Sequence, residues 1–187
     1  NDGGGIRALG DATLALDHAV IADNIGFGVE KTTNGWGGRP ALEIMSSTIA
    51  MNAGGGINVT GVTEDVVVTG SILAMNPGDA LKGSPASVVF GCNDVYGNAQ
   101  DYVGALAGLE GENGNISLDP WFCFGNSTDA YSVSVDSPCL DVPGCGRIGA
   151  LGGDCDARCG TASRLYVRVD GFSNGDGESW SSAMSSL

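Results

Sequence analysis

The segment LALDHAVIADN, residues 14–24, is the first of four copies of one template that align without gaps. The other copies are LEIMSSTIAMN (42–52), VVVTGSILAMN (66–76) and VVFGCNDVYGN (88–98). In every copy the first, third and eighth positions are apolar and the last position is asparagine. Successive asparagines lie 28, 24 and 22 residues apart. This period is typical of solenoids, in which neighbouring repeats bury a shared core.

The template has the signature of short strands rather than helices. Its first and third positions fall on one face of a strand, because side chains alternate between the two faces. The segments favour Val, Ile, Ser and Thr, and glycines are too dense for a helix in each repeat. We therefore predict an all-β fold, a right-handed parallel β-helix whose coils stack at about 4.8 Å. Stacking places one interior column at Leu16, Ile44, Val68 and Phe90.

A leucine-rich repeat is the main alternative, because its period overlaps and it also carries one asparagine per repeat. The frame L-x-x-L-x-L-x-x-N does not recur in this sequence. The pattern therefore favours the β-helix.

The repeated asparagine is predicted to sit at a tight corner of each coil. Asn tolerates left-handed backbone geometry, and stacked amides hydrogen-bond along a column. After it the chain reads N-x-G-x-[GA]-[IVL], as in residues 24–29 and 52–57. Residues 1–6 follow the same pattern, so we expect the chain to begin in mid-fold. The members of the predicted asparagine ladder are Asn1, Asn24, Asn52, Asn76 and Asn98.

Composition excludes several classes of partner. The 187 residues carry 8 Lys and Arg against 22 Asp and Glu, a formal charge of −14 that repels nucleic acid and anionic membrane surfaces. No run of about 18 apolar residues is present to span a bilayer, so we expect no membrane insertion. The 42% of hydrophobic residues is too high for a disordered chain, so the 32 glycines are expected to serve a folded structure.

The second half of the chain carries motifs that resemble those of a known family. They are NDVYGN (93–98), GNISLDPWFC (114–123), YSVSVDSPCLD (131–141) and IGAL (148–151). Together they resemble the last coils and C-terminal cap of bacterial right-handed β-helix repeat proteins, secreted relatives of the pectate-lyase-like superfamily. The resemblance covers roughly residues 1–155. It implies coils over 1–100, a last coil and irregular disulfide-containing cap over 101–155, and a secreted protein that is extracellular or at the cell surface.

The last residues resemble another part of the same family. Residues 165–187 read as a strand, a loop rich in Gly, Asn and Asp, and the start of a helix. In that family a similar segment opens a β-helix by covering its first coil. We therefore expect a linker over 156–164, followed by a segment over 165–187 that opens or caps a next β-helix. The implied partners are copies of the chain or adjacent β-helix domains.

Six cysteines lie mostly in the predicted cap, and an even number in a chain that resembles secreted proteins favours disulfides. Fifteen pairings are possible. Proximity in sequence favours Cys139 with Cys145 and, separately, Cys155 with Cys159. Those pairs leave Cys92 for Cys123. Zinc is the competing interpretation, but the only histidine is far from these cysteines and no C-x2-C pair occurs.

One outward column of the predicted β-helix carries polar residues. Lyases of the resembled superfamily use calcium-binding carboxylates beside a basic residue on an outer sheet face. The corresponding column in this chain is Arg7, Glu30, Asn58 and Lys82. Only one of the four is a carboxylate, and the family's catalytic motifs are absent. We therefore assign no catalytic residue and expect either a solvated sheet surface or a face that contacts carbohydrate.

A loop near the end of the chain is a candidate calcium site. Its oxygen-bearing side chains are Asp170, Asn174, Asp176 and Glu178. The loop lacks the later bidentate Glu of an EF-hand, so a Gly-Asp turn is the alternative. No other cofactor is predicted.

Two functions agree with these features. The first is a non-catalytic extracellular structural or surface module, part of a tandem β-helix array, a head-to-tail filament or an adhesin. Scarce basic residues, disulfides and the missing catalytic set favour it. The second is the rear part of a polysaccharide lyase or glycoside hydrolase, or a β-helix that binds cell-surface or matrix polysaccharide. Resemblance in fold does not decide between them.

Overall fold

The protein is built from coils that stack in parallel. A computed structural model describes residues 3–10, 12–32, 41–61, 65–124 and 130–155. Four successive coils contain three strands each. The strands are β1 (Ile6–Leu9), β2 (Leu14–Asp17), β3 (Val20–Ala22), β4 (Phe27–Thr32), β5 (Ala41–Met45), β6 (Thr48–Ala50), β7 (Gly55–Thr60), β8 (Asp65–Thr69), β9 (Ile72–Ala74), β10 (Leu81–Lys82), β11 (Ser87–Gly91) and β12 (Asp94–Tyr96). A short pair follows, β13 (Val133–Ser134) and β14 (Gly153–Cys155).

Each coil gives one strand to each of three parallel sheets. The first sheet contains β1, β4, β7 and β10, the second β2, β5, β8 and β11, and the third β3, β6, β9 and β12. Leu14 pairs with Leu42, and Leu42 with Val66. Val66 in turn pairs with Val88, so the four template copies are in register along the whole stack. The predicted all-β parallel β-helix is confirmed.

The core is the interior of this stack. Leu16 pairs with Ile44, Ile44 with Val68, and Val68 with Phe90, which confirms the predicted interior column. Ile44 and Val68 are fully buried, whereas Leu16 in the first coil is only half-buried. Full burial of a Val, Leu or Ile side chain contributes about 1.5–3 kcal/mol. A coil therefore needs a neighbour on each side to complete its core.

Asparagine side chains form a ladder along one corner, as predicted. The Oδ1 of Asn52 accepts from the backbone N–H of Asn24 (3.2 Å) and from its Nδ2 (2.8 Å). Asn76 accepts from Asn52 in the same way at 2.9 and 3.1 Å, and Asn98 from Asn76 at 3.0 and 2.7 Å. Asn52 and Asn76 are fully buried, so their polar atoms must bond within the stack. The predicted fifth member, Asn1, lies outside the described residues.

The left-handed corner residue is the one before each asparagine, and our prediction that the asparagine takes this conformation is wrong. Asp23, Met51 and Met75 have φ values of 57°, 55° and 56°, and Gly97 has 67°. The preceding residue makes the turn, so that both the backbone N–H and the amide of the asparagine face the next coil. This position has no consistent residue type among the four copies.

A second polar ladder, which we did not predict, follows the corner between the second and third sheets. The backbone N–H of Ala19 donates to Ser47 Oγ, and that of Ser47 to Ser71 Oγ, both at 3.1 Å. The N–H of Ser71 donates to Asn93 Oδ1, and that of Asn93 to Asn115 Oδ1, both at 3.0 Å. The available signal was the sixth template position, which holds a small or polar residue in each copy.

The end of the stack after the fourth coil is closed by residues 102–109. They include a single 3-10 turn, Gly104–Leu106. Leu106 is fully buried against the apolar core of the coils. These residues are therefore the end cover of the solenoid.

Residues 130–155, called the side cover below, lie along the outer face of the third sheet instead of across the end. The backbone N–H of Ala150 donates to Thr48 Oγ1 at 3.1 Å. The hydroxyl of Tyr131 donates to Asp23 Oδ2, in the first coil, at 2.6 Å. The region that we predicted to be a last coil and cap thus covers both the end and one side of the stack.

Two disulfides tie this C-terminal region together, and the partners differ from those predicted. Cys92 bonds Cys145, and Cys123 bonds Cys155, at Cα distances of 5.5 and 5.8 Å. Proximity in sequence misled us because the side cover folds back over the third sheet and joins cysteines 53 and 32 residues apart. Cys139 is instead a free, buried thiol. The predicted pairs that are wrong are Cys139 with Cys145, Cys155 with Cys159, and Cys92 with Cys123.

Candidate functional site

The four residues of the predicted outer column are neighbours on the first sheet. Arg7 pairs with Glu30, Glu30 with Asn58, and Asn58 with Lys82 across the parallel strands. Arg7 Nε lies 3.1 Å from Glu30 Oε2, and Asn58 Nδ2 donates to Glu30 Oε1 at 3.4 Å. Lys82 Nζ lies 5.7 Å from the ring centroid of Phe27, within cation–π distance. Both carboxylate oxygens of Glu30 therefore help to hold successive coils together.

Asn58 is the residue of this column with incomplete hydrogen bonding. It is only 7% exposed, and its Oδ1 is buried without a donor. Such an unpaired acceptor costs about 1–3 kcal/mol. Arg7 and Lys82 are exposed at either end of the column. This arrangement offers hydrogen-bond donors to a hydroxyl-rich ligand, but contact with carbohydrate stays a prediction.

Metal binding has no support in the described part of the chain. Within it, no group of three or more His, Cys, Asp or Glu side chains is placed to hold a metal ion. The calcium site predicted in the terminal loop lies outside the described residues and stays a prediction. Its candidate ligands are Asp170, Asn174, Asp176 and Glu178.

A buried polar cluster joins the third sheet to the side cover. Asp94, the first residue of β12, is fully buried. Its Oδ1 accepts from the N–H of Leu118, and its Oδ2 accepts from the thiol of Cys139, both at 3.1 Å. Burial raises the pKa of Asp94 to about 6, although both hydrogen bonds favour the charged form. This carboxyl therefore changes its protonation state about one pH unit below neutral.

Ser137 and Cys139 complete the cluster. Ser137 Oγ donates to the carbonyl of Pro120 at 2.7 Å and accepts from the N–H of Cys139 at 3.1 Å. Burial, and then the charge of Asp94, raise the pKa of the Cys139 thiol. A buried thiol that stays protonated is a poor nucleophile. The cluster thus joins the DP motif at 119–120 to the SPC motif at 137–139 and holds the side cover in place.

Sequence reasoning missed Asp94 because its template position points away from the core. The same position in the other coils holds Val20, Thr48 and Ile72, and an acid on an outer face is normally solvated. The fold-back of the side cover is what buries it. The apolar Ile72 in the same column was the available sign that this outer face is covered.

Protein-family models, characterised proteins and solved structures give no match to this chain. No helix in the described ranges is long and apolar enough to cross a membrane. The class follows from the fold itself: the protein is a parallel β-helix with two internal polar ladders and a disulfide-linked C-terminal region.

Proposed function

We propose that the protein is a non-catalytic extracellular structural module, part of a tandem β-helix array, a head-to-tail filament or an adhesin. The observation that carries this proposal is that polar side chains join one coil to the next in three separate columns. Two of these columns are the corner ladders, and the third contains Arg7, Glu30 and Asn58. A stack bonded in this way resists local opening along its length. This property suits a protein that bears mechanical load or holds other domains at a fixed distance from each other.

The proposed partners are further copies or adjacent β-helix domains. The interior residues Ile6, Leu14 and Leu16 of the first coil are half-buried and pack on the core from its end. A further coil or a covering element, from the same chain or from another one, would complete their burial, for the same physical reason that stabilises the inner coils. In this proposal residues 165–187 of one copy supply that element to the next, because a similar segment in the resembled family covers the first coil of a β-helix.

An extracellular or cell-surface location belongs to the same proposal. The support is the pair of disulfides, because such bonds persist in oxidising compartments and are rare in reducing ones. The test is mass spectrometry of protein trapped with a thiol-blocking reagent from the cells that produce it. Linked peptides containing Cys92 and Cys145 are expected. Both cysteines recovered as free thiols would contradict the location.

Assembly is tested by comparing the full chain with a chain that ends at residue 164. Both contain every described residue, so matching circular dichroism spectra serve as the folding control. Electron micrographs should show end-to-end particles for the full chain and single short rods for the truncated one. Assembly that survives the truncation, or a full chain that stays monomeric at all concentrations, would overturn the filament proposal.

A carbohydrate-binding face, or the rear part of a polysaccharide lyase or glycoside hydrolase, is the second candidate. The exposed side chains of Arg7 and Lys82 favour it, because they offer hydrogen-bond donors to sugar hydroxyls on the outer face of the first sheet. Affinity electrophoresis in gels that contain polysaccharide tests binding. Lys82→Ala should abolish retardation, whereas Arg147→Ala, an exposed cation on the side cover, should not. Equal retardation of both variants would rule out this face as the carbohydrate-binding site. Release of reducing or unsaturated sugars from the polysaccharide would support the enzyme.

A further inference from the structure

Trp121 is an exposed aromatic residue held in a strained backbone conformation. Its φ is 53°, and the residue is 46% exposed. The left-handed region costs a bulky L-residue about 1–2 kcal/mol that glycine would not incur. The N–H of Trp121 donates to Asp119 Oδ1 at 2.9 Å, and its carbonyl accepts from the N–H of Ser134 at 2.8 Å. These two hydrogen bonds hold the backbone on both sides of the indole in place.

The indole forms one wall of a concave surface of about 250 Å³. Leu118 and Pro138 supply further apolar walls, and Asp119 and Asp136 supply carboxylates. The backbone N–H of Leu118 is bonded to the buried Asp94, which anchors this wall to the third sheet. Ordinary small-molecule pockets measure about 300–1,000 Å³. The surface therefore suits a single side chain better than a large ligand.

We infer that this surface binds an arginine side chain in a basic segment of a partner protein. A guanidinium stacks on an aromatic ring and pairs with a carboxylate at the same time, and Trp121 lies beside the carboxylate of Asp119 here. The net charge of −14 attracts basic segments and speeds their encounter. Trp and Arg are also the residues most enriched where partner proteins bind strongly. This inference does not depend on the assembly of copies proposed above.

The test is the binding of a labelled oligo-arginine peptide to the full chain, measured by fluorescence anisotropy. A matched citrulline peptide has the same shape without the charge. Trp121→Gly removes the indole, keeps the net charge and suits the left-handed backbone. This variant should stay folded and weaken the Kd for the arginine peptide about threefold to tenfold. Val89→Ala, at an exposed apolar residue of the second sheet, is the control and should leave the Kd unchanged.

Two results would overturn the inference. If Trp121→Gly binds the arginine peptide as tightly as the natural chain does, the attraction comes from net charge alone. If the citrulline peptide or an amino-sugar oligomer binds this surface at least as well as the arginine peptide, the assigned class of partner is wrong.

Discussion

Asp101 closes the asparagine ladder by accepting two hydrogen bonds from Asn98. Its Oδ1 lies 2.9 Å from the backbone nitrogen of Asn98 and 2.7 Å from Nδ2. Each internal asparagine accepts the same two bonds from the one before it. A carboxylate suffices at the end because this position needs only to accept. An internal position requires an amide, because its Nδ2 must also donate.

This difference predicts that Asn76→Asp destabilises the fold far more than Asp101→Asn. Asn76 Nδ2 donates to the carbonyl of Ile49 at 3.1 Å and to Asn98 Oδ1. The substitution removes the donor and leaves a buried charge, which should lower the free energy of unfolding by about 2–4 kcal/mol. Asp101→Asn retains Oδ1 and loses only the exposed bond that Oδ2 accepts from the N–H of Gly97 at 3.1 Å, so it should cost about 0.5–1.5 kcal/mol. Urea denaturation measures the free energy of unfolding of both variants. Equal losses would contradict the direction of hydrogen-bond donation along the ladder.

Asp94 predicts a distinctive dependence of stability on pH. Its folded pKa of about 6 lies above the ordinary value of 3.8, so the folded state binds the proton more tightly than the unfolded state. The resulting stabilisation is complete below about pH 3.8 and is lost as the pH rises through 6. A shift of this size corresponds to about 3 kcal/mol. Asp94→Asn should therefore flatten the profile of unfolding free energy between pH 4 and pH 8.

The control for this experiment is Asp141→Asn, at an exposed position of the side cover. Its profile should run parallel to that of the natural chain. If Asp94→Asn also runs parallel, Asp94 does not titrate as the buried cluster requires.

Cys139 should resist alkylation as long as the protein is folded. The thiol is fully buried and donates to Asp94, and its raised pKa keeps it protonated. Iodoacetamide followed by peptide mass spectrometry should find Cys139 unmodified in buffer and modified in denaturant. Rapid labelling in the folded protein would show that the side cover does not seal this site.

The left-handed corners predict that Met51→Gly is tolerated. Met51 has a φ of 55° and is 39% exposed, so glycine relieves backbone strain at little loss of packing. The free energy of unfolding should stay constant or rise by up to about 1 kcal/mol, because relief of the left-handed strain exceeds the extra conformational entropy that glycine loses on folding. Ile25→Gly, at an exposed residue outside the left-handed region, should instead lower it. Thermal unfolding compares the two variants. If Met51→Gly loses more stability than Ile25→Gly, the left-handed corner geometry is contradicted.

The coils were predictable from the sequence because their information is local and repeated. Alignment of Leu14, Leu42, Val66 and Val88 placed four strands in register, and the interior and outer columns followed from the alternation of side chains. The asparagine ladder was predictable for the same reason. Its corner conformation was not, because the residue that makes the turn varies from Asp23 to Met51 and Gly97.

The side cover was not predictable, because its contacts join residues far apart in the chain. Nothing in the neighbourhood of Cys139 indicates that Cys145 bonds Cys92 instead. From its position in the template, Asp94 is expected to be a solvated acid. It is buried only because the side cover packs over the third sheet. The surface around Trp121 depends on the same fold-back, since Asp136 and Pro138 reach it from the side cover. Motif resemblance predicted a cap over residues 101–155 but did not indicate which cysteines pair within it.

The most direct test of the stacked coils is native-state hydrogen exchange of Asn52 and Asn76, followed by NMR. The backbone N–H of Asn52 donates to Oδ1 of the buried Asn76, and that of Asn76 donates to Oδ1 of the half-buried Asn98. They should therefore exchange only through global unfolding, with a protection free energy equal to that from denaturant. In another kind of repeat, N–H groups of corner residues that face solvent would exchange within minutes. Exchange that fast would contradict the ladder and the coil stack built around it.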